Sequence, residues 1–149
     1  MKKILVTILF SVGILALQAQ VQNPVTWKYE AKKKGINYEL VITAIIEKPW
    51  HIYSQNTGKN GPVPTSITFK KNPLVTISGK VNETGKLEKV YDKNFSTDVL
   101  FYSNKVVFTQ LVKVKAGVKT NISGTVEYMV CDDEQCLPPS KKTFDIKLM

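Results

Sequence analysis

In the stretch Ile36-Asn37-Tyr38-Glu39-Leu40-Val41-Ile42-Thr43-Ala44-Ile45-Ile46-Glu47, six apolar residues share one parity: Ile36, Tyr38, Leu40, Ile42, Ala44 and Ile46. Asn37, Glu39, Thr43 and Glu47 fall on the other. Side chains on an extended chain point alternately to opposite faces, so a period of two over this length predicts a long strand with one face buried. Upstream, Val25 to Ala31 reads as the antiparallel partner, joined across Lys32-Lys33-Lys34-Gly35. The lysine run then sits at a solvated hairpin tip.

The same pattern recurs along the chain. Ser66 to Phe69 and Leu74 to Ser78 flank Asn72-Pro73, and Lys86 to Tyr91 follows a turn expected at Thr84-Gly85. Val106, Phe108, Gln110, Val112 and Val114 alternate up to an Ala116-Gly117 turn. A strand expected from Gly124 to Val130 runs directly into Cys131, and Phe144, Ile146 and Leu148 close the chain. No amphipathic helix of useful length follows the first residues. Many short strands separated by turn signals predict an all-β sandwich. Asn56 to Pro64 and Asp92 to Asp98 resist the strand pattern and read as loops, where function tends to lie on a rigid sandwich.

Met1-Lys2-Lys3, an apolar run from Ile4 to Leu17 and the small residue Ala19 have the layout of a secretory signal peptide. The expected organisation is therefore a leader at 1–19 and a single domain at 20–149, exported to the periplasm. The chain carries a formal charge of +9, and removing Lys2 and Lys3 leaves +7. All of the positive charge is lysine, spread along the chain, whereas nucleic-acid readers rely on arginine forks. No nucleic-acid partner is expected, and the domain is expected to be a monomer.

The chemistry-bearing residues are Cys131 and Cys136, the only cysteines, in Cys131-Asp132-Asp133-Glu134-Gln135-Cys136-Leu137-Pro138-Pro139. In an oxidising compartment so close a pair can close a short disulfide ring. Such a ring is either a staple or a redox site. As a staple it stabilises by only about 2 kcal/mol on the chain-entropy relation, and a sandwich staple more naturally joins distant strands. Asp132, Asp133 and Glu134 disfavour a thiolate, so the pair suits exchange with a partner that brings its own activated thiol. Two thiolates and the lone His51 do not complete a zinc site, and neither a metal nor another cofactor is expected. The residues favour exchange and leave the staple open.

The run Val126-Glu127-Tyr128-Met129-Val130 and the cysteine segment after it resemble the N-terminal periplasmic domain of the disulfide reductase DsbD. Trp50-His51-Ile52-Tyr53-Ser54-Gln55, Gly61-Pro62-Val63-Pro64-Thr65 and Tyr91-Asp92-Lys93-Asn94-Phe95 are similar to other segments of that family. The resemblance spans Val25 to Met149, and its cysteine spacing is one residue shorter than in the best-known members. It implies an immunoglobulin-like sandwich with a redox-active pair. Cys136 would form the mixed disulfide with partners, and Cys131 would resolve it. Phe95, with Lys93 and Asn94, would form a cap loop shielding the pair, and His51 and Tyr53 would lie near it. Electrons would come from a thioredoxin-like domain or a membrane disulfide reductase and pass to periplasmic disulfide-bearing proteins, cytochrome maturation factors among them. The chain ends right after its last strand, so donor and acceptor are expected to be separate proteins.

Read without the resemblance, His51 is a polar loop residue, Tyr53 can be plain core, and Trp50 anchors a strand end. A second function class is a non-catalytic protein- or glycan-binding module with a structural disulfide, whose contacts would be exposed Trp27, Trp50 and Tyr91. Asn82-Glu83-Thr84, Asn94-Phe95-Ser96 and Asn121-Ile122-Ser123 fit the glycosylation sequon, a short pattern frequent by chance.

Overall fold

Val25–Lys34 (β1) and Asn37–Ile46 (β2) form the hairpin that the alternation predicts, in unbroken register from Val25 opposite Ile46 to Lys34 opposite Asn37. Leu40, Ile42, Ala44 and Ile46 are buried, as their parity requires. Ile36 is the exception. It sits in the hairpin turn beside Gly35, whose φ of 61° favours glycine, and it is 88% exposed. The structure is a computed structural model and describes residues 23–58, 60–93 and 95–149. The leader expected at 1–19 and the cap-loop residue Asn94 lie outside the described residues.

The remaining strands are β3 (His51–Tyr53), β4 (Ser66–Phe69), β5 (Val75–Asp92), β6 (Thr97–Val114), β7 (Thr120–Tyr128), β8 (Val130–Cys131) and β9 (Ser140–Leu148). In the first sheet β6 pairs with β5 along one side, while β2 and then β3 pair along its other side. β8 adds beyond β3, and β1 beyond β2. The second sheet is β4-β7-β9, all antiparallel. Between the sheets lie Leu40, Ile42, Val106, Phe108 and Val112 from the first and Ile122, Val126, Tyr128, Phe144, Ile146 and Leu148 from the second. Each such side chain contributes roughly 1.5–3 kcal/mol by leaving water. The all-β sandwich expected from the sequence is the fold observed.

Two elements differ from the sequence reading. Thr84-Gly85 is not a turn: β5 continues through it, with register shifts between Ser78 and Asn82 and between Gly85 and Leu87. A side chain at Gly85 would begin 3.0 Å from the Lys105 carbonyl and from the Tyr102 ring, so glycine serves close strand approach there. The strand expected from Gly124 to Val130 is also two strands. β7 ends at Tyr128 in the second sheet, and after Met129 the chain enters the first sheet as β8. This change of sheets places Cys131 beside β3.

The supposed loop Asp92 to Asp98 is shorter than expected. Asp92 still pairs with Thr97, and only the tip between them leaves the ladder. The β5–β6 hairpin therefore extends as a paired arm out to the Asp92–Thr97 pair.

Candidate functional site

Cys131 and Cys136 face each other across an isolated antiparallel bridge, with Cα atoms 4.1 Å apart, and are joined by a disulfide. The backbone bonds lie on either side of the pair: Asp132 N–H donates to the Gln135 carbonyl and Leu137 N–H to the Val130 carbonyl, each at 2.9 Å. The cysteines thus occupy a position where side chains approach most closely. Asp132 builds the turn between them. Its Oδ1 accepts from the backbone N–H groups of Glu134 (2.8 Å) and Gln135 (2.7 Å). These bonds hold its carboxyl below the ordinary carboxylate range. Asp133 and Glu134 remain exposed at the tip.

The two cysteines are not equivalent in exposure. Cys131 is 1% exposed and packs with Tyr53, Val99, Phe101 and Met129. Cys136 lies on the exposed side of the bridge.

A cleft of about 380 Å³ opens over the pair. His51 and Tyr53 from β3 and Val99 and Phe101 from β6 line it, together with Cys131 to Cys136. The arm supplies Val90, Tyr91, Asp92, Lys93 and Phe95. Phe95 is half-buried. Its N–H donates to Asp92 Oδ1 at 3.3 Å, which helps fix the tip. Among the described site residues named from the sequence, Cys131, Cys136, Lys93, Phe95, Tyr53, His51, Asp132, Asp133 and Glu134 all converge on this cleft.

Val90, Asp92, Val99, Phe101 and Gln135 also line it and were not singled out. Val99 and Phe101 share a parity next to the loop reading, but that signal marks ordinary core as well as a site wall. His51 is not a loop residue. It starts β3, directly opposite Cys131 on one side and Ser103 on the other.

The His51 ring lies 4.4 Å from the Phe101 ring, and its Nε2 is 3.4 Å from the Tyr53 hydroxyl. Burial pushes the imidazole pKa down, and the charges of Asp133, Asp132, Glu88 and Asp92 oppose that shift. Tyr53 is itself buried, and burial, helped by Asp92, pushes its phenol up to about 12. It therefore stays neutral and packs as a wall.

The binding-module reading loses two of its contacts here. Trp50 is 5% exposed, immediately before β3. Trp27 packs against Tyr128 and Phe108, with ring centres 5.1 Å and 6.2 Å away. Only Tyr91 is exposed, and it belongs to the cleft. Among the described residues no group of three or more His, Cys, Asp or Glu side chains is arranged to hold a metal ion.

Fold and site define an immunoglobulin-like sandwich with a local disulfide set beneath the tip of a hairpin arm. The sequence model of the family described as "Thiol:disulfide interchange protein DsbD, N-terminal" matches residues 18–148, and the chain belongs to that family. Among solved structures it is similar to the reduced N-terminal domain of DsbD from Neisseria meningitidis. That likeness has a TM-score of 0.59 and 15% identity, over 83% of this chain and 85% of that one. It is also similar to the N-terminal periplasmic domain of ScsB from Proteus mirabilis, with a TM-score of 0.61 and 14% identity. There the likeness covers 87% of this chain and 48% of that chain, so the present chain spans about half its length. A third likeness is to a complex of the DsbD and PilB N-terminal domains from Neisseria meningitidis. Its TM-score is 0.52 and its identity 13%, over 80% of each chain. At these identities the structural likeness carries the fold. No curated protein matches the chain.

Proposed function

We propose that this domain is a thiol–disulfide exchange module of the periplasm that carries electrons through the Cys131–Cys136 pair. The observation that supports this most is the unequal exposure of the two cysteines within one short ring. A partner thiolate reaches Cys136 from solvent, while Cys131 lies against the core and is the sulfur released. In the mixed disulfide Cys136 holds the partner and Cys131 resolves it. Phe95 and Lys93 on the arm, with Asn94, act as the shield that a partner displaces. Membership of the DsbD N-terminal family supports the exchange chemistry. The DsbD–PilB complex supports a folded redox domain as donor or acceptor. The periplasmic ScsB domain supports the location, with residues 1–19 as the export signal and 20–149 as the working domain. The donor would be a thioredoxin-like domain or a membrane disulfide reductase. The acceptors would be envelope proteins with disulfides, including cytochrome maturation factors.

The test is a pair of variants. Cys131→Ser should leave Cys136 able to trap a partner as a stable mixed disulfide. The double serine variant should lose all exchange while remaining folded, at a stability cost of about 2 kcal/mol. A double variant that unfolds would show that the ring is a staple.

A further inference from the structure

His51 is the only histidine in the chain and stands in register with Cys131. Cross-strand neighbours of this kind present their side chains on the same face of the sheet. Both also line the one cleft over the disulfide. Nothing in the exchange reading uses this side chain.

The need for a neighbouring proton follows from where Cys131 lies. When the ring opens by attack at Cys136, the electron pair of the broken S–S bond goes to the Cys131 sulfur. That sulfur is buried, and Asp132, Asp133 and Glu134 follow it directly in the chain. Burial and nearby negative charge both disfavour a thiolate. Imidazole is the side chain whose ordinary pKa lies nearest neutrality, so it can both hold and release a proton there.

We propose that His51 is the proton donor to Cys131: as a partner thiolate attacks Cys136, the imidazolium protonates the departing Cys131 sulfur. The inference rests on the exchange reading. In the forward step the partner's thiolate forms a bond to the Cys136 sulfur, the Cys131–Cys136 bond breaks, and the His51 proton moves to Cys131. The partner's second thiolate then attacks its own bridged sulfur, closing the partner's disulfide and releasing Cys136 as a thiolate, which solvent protonates. Two electrons have passed from a dithiol to the pair, and His51 regains its proton from solvent. On reoxidation the neutral imidazole accepts the Cys131 proton.

The groups facing His51 fit this task. Tyr53, on its own strand, is held neutral by burial and offers its hydroxyl at 3.4 Å to Nε2. From β6 come the Phe101 ring and Ser103, the latter opposite in register. Asp132 and Asp133 act on it from the cysteine turn, and Glu88 and Asp92 act from β5. Lys93 lines the cleft from the arm. Four carboxylates thus partly offset the desolvation of the imidazolium, while burial still holds its pKa below the ordinary value, so the donor form is reached on the acid side.

The experiment is the rate at which dithiothreitol opens the native disulfide, normalised to its thiolate concentration, from the ordinary imidazole pKa of about 6.5 down into the acid range where burial places His51. In the native protein the normalised rate should fall about tenfold per pH unit once the imidazole is neutral. In His51→Gln it should be flat, and at least about tenfold lower on the acid side. A merely structural His51 would lower the rate without changing its pH profile, and superimposable profiles would overturn the proposal. The native protein gives a second reading without any variant, because its sole histidine yields a single, unambiguous imidazole Hε1 signal in NMR. Its titration should differ between the oxidised and reduced states, since His51 and the Cys131 thiol would then titrate as a coupled pair. Identical titrations in both states would overturn the assignment. A pair that dithiothreitol opens readily but with the same profile in His51→Gln removes this inference alone. A pair that stays closed at every pH removes the exchange reading, and this inference with it.

Discussion

Cys131 and Cys136 show how much one change of environment does within a ring of six residues. One cysteine packs against Tyr53 and Phe101, and the other is exposed, although acidic residues lie between them in the chain. The pair, its acidic turn and the flanking prolines were legible as residues. Their inequality was not, because it depends on β8 entering the first sheet beside β3. His51 was misread for the same reason, since its meaning lies in a partner 80 positions away in register. Tyr53 carries a prediction of its own. Its phenol is raised from 10.0 to about 12, so the folded state binds this proton more tightly than the unfolded chain does. The associated stability is fully present below about pH 10 and is lost as pH rises through about 12. Denaturant unfolding at alkaline pH should therefore show a steeper loss of stability in the native protein than in Tyr53→Phe. Equal slopes would contradict that assignment.

At the scale of elements, the strand pattern was enough to place β1, β2, β4, β9 and the part of β6 from Val106 onward, because each buries one face against the opposite sheet. It failed where an element serves two environments. β5 was read as two strands because Gly85 looks like a turn, although the absence of a side chain there lets Tyr102 and the Lys105 carbonyl approach. β7 and β8 were read as one strand because Val126, Tyr128 and Val130 keep the same parity across the change of sheets. Gly124 makes a sharper point about close approach. A Cβ added there would come within 2.5 Å of the Thr68 carbonyl and would also collide with the Phe144 ring. Phe144 cannot easily yield, since it is wedged between Tyr29 and Phe69, with ring centres 5.2 Å and 5.8 Å away. Gly124→Ala should cost about 1–3 kcal/mol in equilibrium unfolding, the usual range for overpacking. A change under about 0.5 kcal/mol would mean that the strands part more freely than this packing implies.

For the whole molecule, the sandwich acts as a rigid base and the β5–β6 arm as the part that reaches over the site. Cys131 packs with Tyr53, Val99, Phe101 and Met129, a cluster separate from the larger one that fills the space between the sheets. Opening the disulfide is therefore expected to leave the main core intact, which the proposed exchange role requires. The resemblance to the DsbD N-terminal family made fold and site readable together, whereas the residues alone led to a sandwich with a pair that favoured exchange and left a staple open. The measurement that tests this account most directly is the reduction potential of Cys131–Cys136, by equilibration of the native protein in graded thiol buffers. An exchange module should give a value near roughly −200 mV, among known exchange proteins. A value below about −300 mV would mark a structural disulfide and contradict the account.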